Sequence, residues 1–91
     1  MTNIGFSSSF KRAYKKFLKT NSDLETKFWI KLELFQQNPF SPELKTHKLS
    51  GDLKDLWSFR IDYDNRVIFF FPDNNKDKAI LVDIGKHDVV Y

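Results

Sequence analysis

The chain of 91 residues is too short to bury two separate hydrophobic cores, so we expect one domain spanning residues 1–91. Its 41% hydrophobic and 16% aromatic residues argue against a disordered chain, and the lack of cysteine excludes a disulfide framework and a thiolate zinc site. The net charge is only +3, and no apolar run reaches the length of a membrane span or resembles a signal peptide, so we expect a cytoplasmic protein.

The first predicted helix, over residues 7–19, is amphipathic and basic. Aromatic and aliphatic residues recur at helical spacing from Phe10 to Leu18, and a serine N-cap is available among residues 7–9. Its bases are Lys11, Arg12, Lys15, Lys16 and Lys19. Residues 1–20 contain no acid, so this helix either contacts a polyanion or presents an ordinary solvated face.

A second helix is predicted over residues 22–37. Ser22 and Glu25 have the spacing of a capping box, and apolar residues from Leu24 to Phe35 share one side. The Asn38-Pro39 step ends the helix, because a residue before proline is disfavoured in helical conformation. The short polar link between the two helices predicts an antiparallel helix hairpin.

A loop and three strands are predicted after the hairpin. Residues 40–55 show no period and read as an ordered loop, with a brief helical turn at residues 41–44. Residues 56–62 alternate as a strand with Trp57, Phe59 and Ile61 on one side. Residues 66–71 are typical of a buried central strand, and residues 79–87 form another strand with Ile80, Val82 and Ile84 on one face.

This element order predicts an α+β domain. The N-terminal helix hairpin packs on one face of a three- to four-stranded antiparallel β-sheet, the fourth strand being residues 1–6 at an edge. The other face is left for function.

Several polar side chains are predicted to lie on that uncovered face or beside it. Arg60 and Arg66 are brought near one another by the hairpin, so an anion should lie between them, either an aspartate of the turn or a ligand phosphate. Cleavage of RNA by its own 2′-OH requires a base, an acid and cations, and needs no metal or cofactor. The candidates for these roles are Glu43, Lys45, His47, Lys48, Arg60, Arg66, His87 and Tyr91, with Phe70 as a floor. Composition and spacing alone indicate only a small basic α+β domain, with nucleic acid as its candidate ligand.

Two segments, HKLSGDLKDLWSFRIDYDNRVIFFF and ILVDIGKHDVVY, resemble the RelE/ParE superfamily of toxins from type II toxin–antitoxin operons. Within it, the motifs are most similar to the YafQ- and YoeB-like mRNA interferases. The resemblance implies a RelE-like fold and a ribosome-dependent mRNA endoribonuclease that inhibits translation without metal or cofactor. It also implies two partners, a cognate antitoxin and a ribosome with mRNA in its A site, and no membrane partner.

The same resemblance implies roles for individual residues. His87 matches the catalytic histidine of YafQ-like members and would be the acid, while the base is either His47 or Glu43. Arg66 matches a phosphate-binding arginine, and Tyr91 matches a closing aromatic residue. Together with the residues of the predicted open face, this gives Arg60, Lys45, Lys48, Tyr91 and Phe70 as the expected RNA contacts, and the five bases of the first helix are expected to dock on the ribosome. YafQ-like enzymes carry a histidine and an aspartate in the turn before the central strand, whereas this turn holds Tyr63, Asp64 and Asn65.

Two other hypotheses belong to different functional classes. The ParE branch inhibits DNA gyrase without enzymatic activity, but it generally lacks the pair His47 and His87. A decayed toxin would only bind its antitoxin.

Overall fold

The computed structural model describes residues 1–53 and 55–87. Its strands and helices are β1 Asn3–Phe6, α1 Ser8–Thr20, α2 Glu25–Gln37, β2 His47–Lys48, β3 Trp57–Arg60, β4 Asn65–Phe70 and β5 Lys78–Lys86. Short 3-10 turns cover Ser22–Leu24, Pro42–Leu44 and Gly51–Leu53. The α+β class predicted from the sequence is confirmed, as is the helical turn predicted at residues 41–44.

The described strands form one sheet in the order β1-β5-β4-β3-β2. All neighbours are antiparallel except β1, which runs parallel to β5. The prediction of a three- to four-stranded antiparallel sheet therefore undercounts the strands and gives the edge strand the wrong direction. Strand β2 has only two residues, too few for an alternating pattern, and β1 pairs with a strand more than 70 residues away, so its direction leaves no local signal.

Helix α1 begins at a side-chain cap, as predicted. The Ser7 hydroxyl accepts a hydrogen bond from the backbone N–H of Phe10 at 3.0 Å, which satisfies one of the donors that every helix leaves open at its start. The capping box predicted for α2 is wrong. Residues Ser22–Leu24 form a 3-10 turn, and α2 then starts at Glu25 with no side-chain cap, so Glu25 stands too early in the helix to complete the box.

Both helices pack on the same face of the sheet. Phe10 and Phe17 of α1 and Phe28 and Phe35 of α2 are buried in one core cluster with the inward side chains of β3, β4 and β5. Phe35 stacks on Phe59 with 4.7 Å between ring centroids. Each such phenylalanine contributes about 1.5–3 kcal/mol by leaving water, so the aromatic layer between α2 and the sheet is a major part of the core.

Strand β5 contains a bulge that changes which side chains face the core. Ile68 pairs with Asp83 but the next residue, Phe69, pairs with Leu81, so the register skips Val82. One extra residue reverses the alternation beyond it, and Leu81 and Ile84 both point inward, with 0% and 5% exposure. The prediction that Ile80, Val82 and Ile84 share one face is wrong for this reason.

The sheet face away from the helices is covered at its centre. Ser58 and Ile68 alternate onto this face, yet they are 0% and 2% exposed. Solvent reaches the face mainly near the strand ends, where Arg66 and Phe70 are partly exposed. Within the described residues, no helix is long and apolar enough to cross a membrane.

Candidate active site

Two arginines lie side by side at one end of the sheet face away from the helices. Arg60 in β3 and Arg66 in β4 are direct partners in the antiparallel register. Because directly opposed residues share a face, and Phe59 next to Arg60 is buried under α2, both guanidinium groups belong to the face away from the helices. Sequence alternation predicted this placement for Arg60, and the structure brings Arg66 beside it.

The turn between β3 and β4 is organised by one carboxylate. Asp62 Oδ1 accepts hydrogen bonds from the backbone N–H groups of Asp64 and Asn65 at 3.0 and 2.8 Å, and from Asn65 Nδ2 at 3.0 Å. Partial burial by itself raises the pKa of Asp62, but these hydrogen bonds and the positive charge of Lys27 outweigh it, and the pKa lies below its usual value of 3.8. The ionised carboxylate is therefore part of the folded turn.

Arg66 closes the same turn from the strand side. Its Nη1 donates to the backbone carbonyls of Asp62 and Tyr63, at 3.0 and 3.1 Å. The same nitrogen also donates to the carbonyl of Asn65 at 3.3 Å, and within the described residues the turn is held through Nη1 rather than through the other guanidinium nitrogens. The contacts fix the direction of the guanidinium before any ligand arrives, which is a requirement for binding a phosphate with little loss of entropy.

The residue after β5 is joined to this turn by a backbone hydrogen bond. The N–H of His87 donates to the carbonyl oxygen of Asp64 at 2.9 Å. The imidazole of His87 is exposed and starts from a backbone position held beside the turn that Arg66 closes. This hydrogen bond holds His87, the residue after β5, near the two arginines.

A surface cavity of about 510 Å³ lies where these elements meet. Its lining residues are Arg60, Tyr63, Asp64, Arg66, Lys86 and His87. Three side chains with permanent positive charge face one carboxylate, so the cavity attracts anions. Among the residues that the structure describes, no three His, Asp or Glu side chains are grouped as metal ligands.

Arg60 has an unusual environment within this cavity. Its guanidinium carbon lies 5.7 Å from the ring centroid of Tyr63, a cation–π distance. Its Nε is buried and has no hydrogen-bond partner in the described part of the chain. A buried unsatisfied donor destabilises a protein by about 1–3 kcal/mol, which is tolerated most readily where an acceptor is supplied by a ligand.

The predicted bases do not line this cavity. His47 and Lys48 border a separate depression of about 310 Å³ together with Leu49, Ser50 and Leu53. His47 is nevertheless on the correct face, because it pairs with Ser58, two residues before Arg60. Strand geometry separates the Cα atoms of His47 and Arg60 by roughly 8 Å.

The hydrogen bonding of His47 defines its neutral tautomer. Its Nδ1 lies 2.9 Å from the carbonyl oxygen of Lys45. A carbonyl only accepts, so Nδ1 carries the hydrogen in this contact and Nε2 is the basic nitrogen of the neutral ring. This tautomer is suited to accept a proton.

Glu43 lies away from the arginine pair. It belongs to the 3-10 turn Pro42–Leu44, and its carboxylate is 3.7 Å from Nζ of Lys31 in α2. Its side chain is 71% exposed, so the ion pair is weak, but the contact is with the helix layer and not with the arginine cavity.

The remaining predicted residues are distributed over the surface. Lys45 is exposed and has a left-handed backbone, with φ of 51°. Lys48 and Phe70 border a third cavity, at the opposite end of β3 and β4. All five bases of α1 are exposed: Lys11, Arg12, Lys15, Lys16 and Lys19. Tyr91 lies outside the described residues.

Two residues of the cavity were not among the candidates predicted from the sequence. Tyr63 was assigned only to the turn, and Lys86 was not considered. Lys86 pairs with Asn65, so strand alternation directs its side chain away from the face of Arg66. Its long side chain reaches the cavity from the end of the strand, and its position directly before His87 was the available signal.

Comparison with known proteins gives a consistent result. The family described as bacterial toxin of type II toxin-antitoxin system, YafQ, matches residues 2–91. YafQ from E. coli has a similar structure, with a TM-score of 0.79 at 17% identity, covering 100% of this chain and 99% of that one. A metal-bound toxin from Helicobacter pylori gives 0.73 at 25% over both full chains, and the YoeB–YefM complex from Staphylococcus aureus gives 0.71 at 24%, covering 96% and 98%. No protein of curated function matches the sequence.

Proposed function

Because the chain belongs to the YafQ family of bacterial toxins of type II toxin–antitoxin systems, we propose that it is a ribosome-dependent mRNA endoribonuclease. It acts in the cytoplasm on mRNA in the ribosomal A site and so inhibits translation. The observation that carries this proposal is the cavity that Arg60, Arg66, Lys86 and the exposed His87 line together. RNA cleavage requires cations and a group that transfers a proton at the same site.

The proposed reaction is a transfer within the RNA. The ribose 2′-oxygen attacks the adjacent phosphorus while its proton passes to a base, and the bond from phosphorus to the 5′-oxygen breaks. His87 donates a proton to that departing oxygen, giving a 2′,3′-cyclic phosphate and a 5′-hydroxyl end. The guanidinium groups of Arg60 and Arg66 stabilise the negative charge that develops on the phosphoryl oxygens.

The geometry favours His47 over Glu43 as the base. His47 is on the face of Arg60 and presents Nε2 as its basic nitrogen, whereas Glu43 is paired with Lys31 of α2. The separation between β2 and the arginine cavity is bridged by the substrate, whose 2′-OH and 5′-oxygen lie on opposite sides of one phosphate. Tyr91 is proposed to stack on a base at this site.

The ribosome supplies what the small cavity lacks. The ribosomal A site holds mRNA in a fixed geometry, and such positioning can lower the activation free energy of cleavage substantially. The exposed bases of α1 are proposed to dock on ribosomal RNA. This contact is electrostatic and so weakens as the salt concentration rises.

A cognate antitoxin is proposed as the second partner, as YefM is for YoeB. The supporting feature is an apolar groove of about 590 Å³ between β1 and α2, lined by Ile4, Phe6, Trp29 and Leu32 among others. Trp29 is 47% and Phe6 37% exposed, and β1 is an edge strand of the sheet. Exposed aromatic side chains beside an unpaired strand edge are typical of a protein-binding surface, and the basic helix α1 nearby favours an acidic partner.

The proposal is tested with purified protein, translating ribosomes and a defined message. Primer extension should reveal new 5′ ends within codons at the A site, and a 2′-deoxy nucleotide before the cut should abolish them. A supercoiling assay with DNA gyrase, run in parallel, distinguishes the alternatives. Gyrase inhibition without RNA cleavage would establish the ParE-like function, and neither activity would identify a toxin that only binds its antitoxin.

A further inference from the structure

A third cavity, of about 520 Å³, lies at the end of β3 and β4 opposite the arginine pair. Its lining includes Lys48, Asp55, Trp57, Phe70, Asp73 and Lys76. Neither the catalytic proposal nor the antitoxin surface uses it, although Lys48 and Phe70 were predicted from the sequence to contact RNA. We call it the aromatic cavity.

Phe70, in the lining of the aromatic cavity, lies on the same sheet face as Arg66, whereas Trp57 and its strand partner Lys48 belong to the helix-covered face, so the cavity extends around the end of the sheet. Arg66, Ile68 and Phe70 alternate along β4 onto the face away from the helices, and the pairing with β3 is regular throughout. Phe70 therefore lies about 13 Å along the strand from Arg66. Between them Ile68 is buried, so the arginine cavity and the Phe70 side of the aromatic cavity are separate recesses. A short stretch of single-stranded RNA can span such a distance.

The charges of the two cavities differ in a way that selects different parts of RNA. The arginine cavity has three permanent cations against one carboxylate. The aromatic cavity has two lysines, Lys48 and Lys76, balanced by Asp55 and Asp73. A balanced polar rim around aromatic rings suits an uncharged planar group that has both donors and acceptors on its edge. An unpaired nucleobase is such a group.

The turn after β4 holds a lysine in place beside the rings. Lys76 has a left-handed backbone with φ of 59°, a conformation that lysine rarely adopts, and its Nζ is 5.9 Å from the ring centroid of Phe71. Asp73 Oδ1 accepts the N–H of Asn75 at 3.1 Å, which stabilises this turn. The polar side of the cavity is thus built by ordered backbone.

From these observations we infer that the aromatic cavity receives an unpaired base of the RNA whose scissile phosphate occupies the arginine cavity. The base stacks on Phe70, and its edge is read by the lysines and aspartates of the rim. The inference rests on the proposed nuclease function and extends it, because it places the choice of message sequence at a site distinct from the reacting phosphate.

The test is binding of short unpaired RNA hexamers to the purified toxin, measured by fluorescence anisotropy without ribosomes. A hexamer with one abasic position should bind about tenfold more weakly than its intact counterpart when that position reaches the aromatic cavity. In Phe70→Ala the intact hexamer should lose the same factor, and the abasic position should then have no further effect. Ile30→Ala, which removes an exposed apolar side chain of α2 that lines neither the arginine cavity nor the aromatic cavity, is the control and should bind like the wild type.

Lys76→Gly is a second variant chosen to keep the fold, because glycine adopts a left-handed φ without strain. It should alter which of four hexamers, differing in that one base, binds best. Equal losses from the abasic position in wild type and Phe70→Ala would overturn the inference. Cleavage on ribosomes without base-dependent binding would refute base binding in the aromatic cavity and leave the proposed nuclease function standing. Base-dependent binding without cleavage would support base binding in the aromatic cavity and refute the proposed nuclease function.

Discussion

At the scale of single residues, the site depends on hydrogen bonds that Asp62, Arg66 and His87 make in the turn between β3 and β4. Asp62 gathers three N–H donors on one carboxylate oxygen, and Arg66 binds the carbonyls of the same turn. The backbone of His87 then bonds to the carbonyl of Asp64. Loss of the Asp62 carboxylate would therefore disturb the position of both proposed catalytic side chains, although Asp62 does not line the cavity.

We predict that Asp62→Asn lowers the free energy of unfolding by roughly 1–2 kcal/mol at neutral pH, because hydrogen bonds to an ionised acceptor are replaced by weaker ones. The folded-state pKa of Asp62 is below 3.8, so its contribution is present above about pH 4 and is lost as the pH falls through the lowered pKa. Urea denaturation between pH 2 and pH 7 measures this. The difference between wild type and variant should shrink below pH 4, and a constant difference would contradict the assignment.

At the scale of elements, the bulge at Val82 determines which side chains of β5 pack in the core and which residues lie beside Arg66. Before it, Ala79 and Leu81 pack inward, and after it Ile84 does so, which leaves Gly85 opposite Arg66 on the uncovered face. The carbonyl of Val82 also accepts a hydrogen bond from the Ser9 hydroxyl at 2.9 Å, so the irregular residue anchors the start of α1. The bulge thus aligns the core, the first helix and the end of the strand that carries His87.

Two isoleucines of β5 offer a matched test of the bulge. Ile84→Ala should lower the free energy of unfolding by about 2–4 kcal/mol, because Ile84 is 5% exposed within the main core. Ile80→Ala should have a clearly smaller effect, since Ile80 is only partly buried and lies on the other face. Chemical denaturation of both variants decides the matter. Equal losses would support the regular alternation expected from the sequence.

The sequence predicted the two helices from their apolar period and the central strand from its apolar run. Helices α1 and α2 and the central strand β4 are confirmed, and so is the edge strand within residues 1–6. The bulge escaped prediction because Val82 is as suited to a strand as its neighbours, and the extra residue is defined only by the pairing with β4. Strand β2 escaped because two residues show no pattern.

The candidate site was predictable to a similar extent. Alternation along β3 and the hairpin turn predicted Arg60 and Arg66 near one another, and the resemblance implied that His87 acts at the same site; the three residues line one cavity. Glu43 and His47 belong to the loop after α2, where no period fixes side-chain direction and tertiary contacts decide it. The resemblance to YafQ- and YoeB-like toxins is confirmed, and the roles that it implies for individual residues stay predictions.

At the scale of the whole molecule, the proposed surfaces do not compete for the same space. The basic helix α1 packs on one face of the sheet, and the arginine cavity opens on the other. The apolar groove lies at the edge formed by β1 and α2. Ribosomal RNA on α1 and mRNA in the cavity can therefore be bound at once, while an antitoxin that enters the groove begins at a third surface.

We predict that Trp29→Ser weakens binding of the cognate antitoxin by tenfold or more, because a large exposed aromatic side chain in a groove is a typical hot spot. Ile30→Ser is the matched control, since Ile30 is 60% exposed on the same helix but does not line the groove. Calorimetric titration with the antitoxin encoded beside the toxin gives both affinities. Equal affinities would exclude this groove as the binding surface.

The most direct test of the central claim is single-turnover cleavage of mRNA on stalled ribosomes by wild type and His87→Ala. The variant should bind ribosomes and unfold in denaturant like the wild type, because the His87 side chain is exposed and its backbone bond to Asp64 is kept. Its rate of cleavage should fall by a factor of about 100 or more, the contribution typical of a general acid. Cleavage at the wild-type rate would show that the imidazole beside the two arginines does not transfer the proton, and the proposed active site would be wrong.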